Sequence, residues 1–215
     1  YDIDLISLRA IYEPGSSLKI FSIGAGIEYG LIDENTKEFS IERIICSGLP
    51  RTLQTAEHIA SRREITIECF PLLKEYEWNP DLLKDTKIER FGYLFEDSLA
   101  KEMIGGTEDA DEFYRRITYQ LEIIINEDWN EMAAFLHGAV NAAIMCWVND
   151  VDISFASKYD QDHAALNIID IDVNEKGKIV RKILKRYNIP PDLSMIGSDM
   201  RSSWENTASK IANLK

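Results

Sequence analysis

The sequence passes from an apolar strand into an amphipathic helix through the stretch Cys46-Ser47-Gly48-Leu49-Pro50-Arg51-Thr52-Leu53-Gln54-Thr55-Ala56. Residues 41–45 before it form a β-branched run broken by charge, and apolar residues after it recur at helical spacing on one face. Arg51 is therefore predicted to lie in the first turn of the helix, beside free backbone N–H groups and the positive end of the helix dipole. An anion at this position would contact the guanidinium and the backbone donors together, so the stretch predicts a phosphate site.

A second strand-turn-helix unit, residues 132–144, places His137 where its apolar strand ends. In an open α/β sheet, ligands bind outside the carboxyl ends of the strands. Gly138 allows the backbone to approach a ligand closely. A third predicted strand, residues 3–8, ends at Arg9 in the same way. Two arginines and a histidine at three strand ends are therefore predicted to converge on one anion.

These motifs resemble those of the histidine phosphatase (phosphoglycerate-mutase-like) superfamily. Its members open with a strand followed by Arg-His-Gly, continue with Ser-x-x-Leu-x-Arg-Ala-x-Gln-Thr-Ala or near variants, and carry a later Ser-His-Gly-Gly. Residues 47–56 stand in the second pattern and Leu136-His137-Gly138-Ala139 in the third. Leu73-Lys74-Glu75 matches the family's Leu-x-Glu. The resemblance covers about residues 3–172 in the family's order.

One further motif lies between these patterns. Gly106-Thr107-Glu108, followed by Asp111, resembles the family's Gly-Glu-Ser with a downstream Asp, although Thr and Glu stand in changed order. The arginine that follows in the family corresponds to Arg115 or Arg116, and the sequence leaves both open.

The resemblance implies a role for each residue of the pocket. Arg9, Arg51 and His137 hold the phosphoryl oxygens, and Glu75 is the acid that protonates the leaving oxygen. The family's nucleophilic histidine corresponds to Ala10, whose methyl group cannot accept a phosphoryl group. The predicted substrate-binding residues are Arg9, Arg51, His137, Gly138 and His163.

Two explanations remain open for a pocket that is otherwise intact but has Ala10 at the position of the nucleophile. In the first, which we favour, the natural residue is histidine and this chain is an inactivated phosphatase for a small phosphomonoester. In the second, the chain is a natural pseudoenzyme that binds a phosphorylated metabolite, and Ile11 in place of the usual small residue favours this. A phosphoglycerate-type mutase would use the same pocket and is the weaker alternative. In each case the chain as given is expected to be inactive or nearly so.

The amino-acid composition limits the kinds of molecule that this protein is expected to bind. The net charge of −13 argues against nucleic-acid binding, and it requires a phosphate site to be a local positive pocket in an acidic surface. No apolar run approaches the roughly 20 residues of a membrane span, so we expect no membrane partner and a cytoplasmic location. The expected partner is a small phosphorylated substrate, with a homodimer as an open possibility.

Histidines and cysteines indicate no cofactor. The three histidines occur in unrelated contexts, so we expect no metal site. The three cysteines lie in apolar segments and are predicted to be buried, reduced thiols. The histidines are His58, His137 and His163, and the cysteines are Cys46, Cys69 and Cys146.

The alternation of strand and helix patterns predicts an α/β fold, a three-layer α/β/α sandwich with a mostly parallel central sheet. We expect one domain over 1–215, with an insertion or lid at about 70–107 and a C-terminal helical extension at about 194–215. Residues 174–177 predict a hairpin turn. The loop at 12–30 and the insertion are expected to set substrate specificity. Strands are predicted near 3–8, 41–46, 65–69, 132–137, 164–172 and 178–184, and helices near 49–62, 108–127, 138–149 and 197–213.

Overall fold

The described part of the chain is a sheet flanked by helices. The computed structural model describes the backbone of residues 17–23, and residues 41–76, 108–162, 164–174 and 176–189 in full. Within these ranges the strands are Ser17–Ile23 (β1), Arg43–Cys46 (β2), Ile67–Cys69 (β3), Glu131–Phe135 (β4), Leu166–Val173 (β5) and Ile179–Ile189 (β6). The α-helices are Pro50–Arg63 (α1), Ala110–Ile125 (α2) and Gly138–Val148 (α3), and the 3-10 helices are Pro71–Leu73 and Ile153–Lys158.

The strands lie in the order β3-β2-β4-β1-β5-β6. β3, β2, β4 and β1 are parallel to one another, whereas β5 pairs antiparallel with both β1 and β6. The prediction of an α/β fold with a mostly parallel sheet is confirmed. Because α1 and α3 follow β2 and β4 directly, both helices begin at the carboxyl edge of the parallel strands.

Successive residues of β2, β4 and β5 face opposite helix layers. On β2, Ile44 packs with the apolar face of α1, whereas Ile45 packs with α2 and α3. Residues of β4 and β5 alternate between the same two clusters. Both faces of the central strands are therefore covered, which explains their nearly continuous apolar sequence and confirms the predicted three layers.

The position of β1 differs from the sequence prediction. We expected a loop over 12–30, but β1 lies within it and pairs with β4 and β5 in the middle of the sheet. Its sequence, Ser17-Leu18-Lys19-Ile20-Phe21-Ser22-Ile23, is followed by Gly24-Ala25-Gly26. The predicted strand 3–8, with Arg9 and Ala10 at its end, lies outside the described residues, so that assignment stays a prediction.

The helix ends follow local sequence signals. Pro50 occupies the first position of α1, where its fixed φ suits a helix and its missing N–H leaves no bond unmade. Asp109 and Glu112 form a reciprocal capping box at the start of α2. Every residue of α3 from Ala139 to Val148 is buried, and all of them except Asn141 are apolar, so this helix is central. The helices predicted near 49–62, 108–127 and 138–149 are confirmed within one or two residues.

The antiparallel end of the sheet contains the predicted hairpin. The N–H of Gly177 donates to the carbonyl of Asn174 at 2.8 Å, and Gly177 has a φ of +73°. Residues 77–107 of the expected insertion and the expected extension at 194–215 lie outside the described ranges, and the one-domain assignment stays a prediction. None of the described helices is long and apolar enough to cross a membrane.

Candidate functional site

His137 and Arg51 meet at the carboxyl edge of the sheet. His137 follows β4, caps the start of α3, and is buried. Arg51 lies in the first turn of α1, is exposed, and donates its Nε–H to His137 Nδ1 at 3.2 Å. The two turns are adjacent because β2 pairs with β4, with Cys46 opposite Phe135. The parallel pairing thus unites two residues that are 86 positions apart.

A chain of hydrogen bonds fixes the tautomer of His137. Because the Nε of Arg51 is always a donor, Nδ1 of His137 is the acceptor and the neutral ring carries its proton on Nε2. That proton is donated to Ser47 Oγ at 2.7 Å. Thr52 Oγ1 donates to the carbonyl of Leu49 at 2.8 Å, which leaves it to accept the hydroxyl proton of Ser47 at 2.9 Å. The β2–α1 turn therefore orients the imidazole.

The imidazole is neutral at pH 7. The pKa of His137 is lowered to about 4, first by burial and then by the positive charges of Arg51 and Arg116. A bound anion would offset both arginines and thereby favour the imidazolium form. The site can therefore gain a proton when it takes up a negatively charged ligand.

Glu75 lies at the start of α3, beside Arg51. Its Oε1 accepts the N–H of Tyr76 at 3.0 Å. Burial raises the pKa of Glu75, while the N–H groups of Tyr76, Ala139 and Val140 and the charge of Arg51 oppose this effect. A carboxyl with a raised pKa keeps its proton to higher pH than an ordinary glutamate, which is a property suited to a general acid.

Arg116 of α2 holds the segment that carries Glu75. Its guanidinium donates to both carboxylate oxygens of Glu108, with Nε–Oε2 at 2.7 Å and Nη2–Oε1 at 2.6 Å. It also donates to the carbonyls of Leu72 at 2.5 Å and Lys74 at 2.9 Å, and more weakly to that of Glu75 at 3.4 Å. Five donors in a planar fork suit this multiple role. Arg116 thereby fixes the backbone on both sides of position 74.

The structure distinguishes the two arginines that the sequence left open. Arg116 binds Glu108 as just described, whereas Arg115 is exposed and donates to the carbonyl of Asp111 in its own helix. Local sequence patterns do not indicate that Arg116 reaches the Glu75 segment, because these residues are some forty positions apart. The hydrogen bond between Ser47 and Thr52 was also not predicted, although both residues lie in the stretch 46–56 that predicted the phosphate site.

The predicted site residues divide into two sets. Arg51, Glu75 and His137 come together, and among the described residues no atom lies within 4 Å of a Cβ placed on Gly138. Arg9, Ala10 and His163 lie outside the described residues, and their roles remain predictions. His58, which was not assigned a role, is exposed on α1.

The structure tests the predicted burial of the three cysteines. Cys46 and Cys146 are buried as expected, but Cys69 is exposed, because it ends the edge strand β3. The prediction that all three thiols are buried is therefore wrong. Among the described residues, no group of three or more His, Cys, Asp or Glu side chains is placed to hold a metal ion.

Comparison with known proteins identifies the class. Three solved structures share the fold. A mycobacterial glucosyl-3-phosphoglycerate phosphatase in complex with inorganic phosphate has a TM-score of 0.63 and 13% identity over 82% of this chain and 98% of that chain. An α-ribazole phosphatase from Shigella flexneri has a TM-score of 0.58 and 16% identity over 80% and 96%. A protein described as mycobacterial hydrolase 2 has a TM-score of 0.62 and 13% identity over 93% and 97%.

The fold is thus that of the phosphoglycerate-mutase-like phosphatases. A model of the histidine phosphatase superfamily (branch 1) matches residues 30–183, and the chain belongs to this superfamily. The match begins after Arg9 and Ala10 and so does not include them. No curated protein sequence gives a significant match.

Proposed function

We propose that this chain binds the phosphoryl group of a small phosphomonoester at the edge formed by Arg51, Glu75 and His137. The meeting of these three side chains at the starts of α1 and α3 carries the proposal. A guanidinium, a ring nitrogen and a carboxyl at helix N-termini match what a phosphate monoester presents, namely charged oxygens and one leaving oxygen. The superfamily acts on such substrates, and the net charge of −13 makes a local pocket of this kind necessary.

Each side chain has a distinct part in this proposal. Arg51 pairs with two phosphoryl oxygens. When phosphate binds, His137 Nδ1 loses the hydrogen bond from Arg51 and takes up a proton. His137 donates this N–H to another phosphoryl oxygen, while Ser47 keeps the ring in place. Glu75 transfers its proton to the leaving oxygen when the bond from phosphorus to that oxygen breaks.

The covalent step needs an imidazole that this chain lacks at the predicted position. In the route that the family resemblance implies, a histidine nitrogen bonds to phosphorus and water later releases phosphate. Ala10 cannot do this, and of the chain's other histidines His58 is exposed on α1. We therefore propose a phosphatase site whose nucleophile is replaced, and we expect this chain to bind substrate with little or no turnover.

Binding of inorganic phosphate tests the proposal. Calorimetry on the full chain should give an affinity that falls about tenfold to a hundredfold in Arg51→Gln, since hydrogen bonds to a charged group are worth about 1.5–3 kcal/mol. Arg62→Gln is the matched control, because Arg62 is an exposed arginine in the last turn of the same helix. Equal affinities of the two variants would refute the site.

Restoration of the nucleophile tests the reaction. Ala10→His is expected to release phosphate from a panel of small phosphomonoesters and to become labelled by phosphate. Ala25→His is the alternative variant, because Ala25 comes two residues after β1, the strand that pairs with β4. Turnover by Ala25→His alone would move the nucleophile position from 10 to 25.

A natural pseudoenzyme is the second candidate. It is favoured by the absence of histidine from the sequence directly after both the predicted strand 3–8 and β1. If neither restored variant turns over, while phosphate binding persists and still requires Arg51, the chain is a binding protein for a phosphorylated metabolite. The residue at position 10 in the natural gene separates this candidate from an inactivated phosphatase.

A further inference from the structure

Two cysteines stand side by side next to the β2–α1 turn. Cys46 ends β2 and Cys69 ends β3, and the two are direct partners in the parallel register. Their Sγ atoms are 3.6 Å apart. Partners on neighbouring strands have backbones about 4.8 Å apart, which falls in the Cα range of about 4.4–6.8 Å found for disulfides. A bond between these sulfurs therefore requires only a short approach of the two side chains.

The two thiols differ in access. Cys69 is exposed and so can meet a dissolved oxidant, whereas Cys46 is buried beneath the turn. Gly48 lies against Cys69, because a Cβ added to Gly48 would be 3.5 Å from the Cβ of Cys69. The N–H of Gly48 contacts Cys46 Sγ at 3.4 Å. An exposed thiol beside a second cysteine is the arrangement in which the first reacts with an oxidant and the second resolves the mixed product.

We propose that Cys46 and Cys69 form a reversible dithiol–disulfide pair that is oxidised by a small disulfide such as oxidised glutathione. The Cys69 thiolate attacks one sulfur of that disulfide and releases one glutathione thiolate. The Cys46 thiolate then attacks the Cys69 sulfur and releases the second glutathione. Two thiol protons and two electrons thus pass to the small disulfide, which leaves as two thiols.

Oxidation alters the anion site through the turn. The thiol of Cys46 also contacts Thr52, whose hydroxyl bonds Ser47, and Ser47 bonds His137. Moving Cys46 Sγ toward Cys69 changes its contacts with the N–H of Gly48 and with Thr52, and so affects the residues that orient the imidazole. We therefore expect oxidised protein to bind inorganic phosphate about 5-fold less tightly or weaker still, the lower end of usual coupling between sites. This consequence alone rests on the proposed function.

Thiol counting on the full chain tests the pair. After treatment with oxidised glutathione, unfolded protein should present one free thiol instead of three, and peptide mapping should link Cys46 to Cys69. Cys69→Ser should keep two free thiols, while Cys146→Ala should form the same link, because Cys146 is buried within α3 and belongs to a different core cluster from Cys46. Reduction with dithiothreitol should restore all three thiols and the original phosphate affinity.

Four results would overturn the pair, its coupling to the site, or the proposed function. Three thiols after treatment, or a lasting glutathione adduct on Cys69 with Cys46 free, refute the pair. A Cys46–Cys69 link with unchanged phosphate affinity refutes its coupling to the site. If reduced protein does not bind phosphate, the proposed function fails, and the thiol count still decides whether the disulfide forms.

Discussion

The two strand-to-helix units that build the site differ in the burial of their helices. α1 is amphipathic and carries exposed residues such as Arg51 and His58, whereas α3 is buried from Ala139 to Val148. The exposed unit supplies a permanent charge, and the buried unit supplies a neutral His137 and backbone donors near Glu75. One turn can therefore attract an anion from solvent while the other adapts its protonation to the anion.

The largest difference is expected when a charge is placed on each helix. Ala143→Lys puts an ammonium at a fully buried position of α3 and should destabilise the protein by more than about 4 kcal/mol or prevent folding. Ser61→Lys on the exposed face of α1 should change the free energy of unfolding by less than about 0.5 kcal/mol. Urea unfolding measures both, and similar losses would contradict the contrast in burial.

The next difference concerns the histidines of the two units. His137 has a pKa of about 4 when folded and an ordinary value of 6.5, so below pH 6.5 the unfolded chain takes up the proton first. The free energy of unfolding should fall as the pH drops from 6.5 to 4, by up to about 3 kcal/mol from this residue. His137→Gln should remove this loss, whereas His58→Gln should retain it.

Denaturant titrations at several pH values check this prediction. The raised pKa of Glu75 acts in the opposite sense, because a folded state that holds its proton more tightly gains stability as the pH falls. Comparison of His137→Gln with the parent chain cancels that contribution. A parallel pH dependence of the two proteins would show that His137 is not held neutral.

A moderate effect is expected at the support of the Glu75 segment. Arg116→Lys keeps the charge but loses the planar fork, so bonds to Glu108 and to the carbonyls of Leu72 and Lys74 are lost. The expected loss of stability is about 1–3 kcal/mol. Arg115→Lys, one position earlier and exposed, should be neutral. Calorimetric unfolding measures the Tm of Arg116→Lys and Arg115→Lys. Equal Tm values would show that Arg116 does not support the Glu75 segment.

The smallest effect distinguishes the glycines of the two turns. Gly48 has a φ of +82°, and an alanine there should cost about 1–2 kcal/mol. Gly138 begins α3, and within the described part of the chain a Cβ there meets no atom within 4 Å, so Gly138→Ala should be neutral or slightly stabilising. Thermal unfolding of Gly48→Ala and Gly138→Ala measures this difference in stability. A larger loss in Gly138→Ala than in Gly48→Ala would contradict the geometry of both turns.

Local signals predicted most of the described elements. Proline at the start of α1, the capping pattern of α2 and the apolar run of α3 each act within a few residues, so they can be read without knowledge of the fold. β1 was missed although it has a strand's composition. Residues 3–8 and 17–23 both have strand-like patterns, and only pairing with β4 and β5 places β1 at the centre of the sheet.

The sequence by itself predicted the family, the order of the described strands and helices other than β1, and Arg51, Glu75 and His137 as candidate site residues, because these depend on motifs that are local in the chain. Only the tertiary structure decided that Arg116 rather than Arg115 holds the Glu75 segment, that His137 carries its proton on Nε2, and that Cys46 faces Cys69. Each of these depends on contacts between segments distant in sequence. Strand register and helix packing fix such contacts, and no local pattern encodes them.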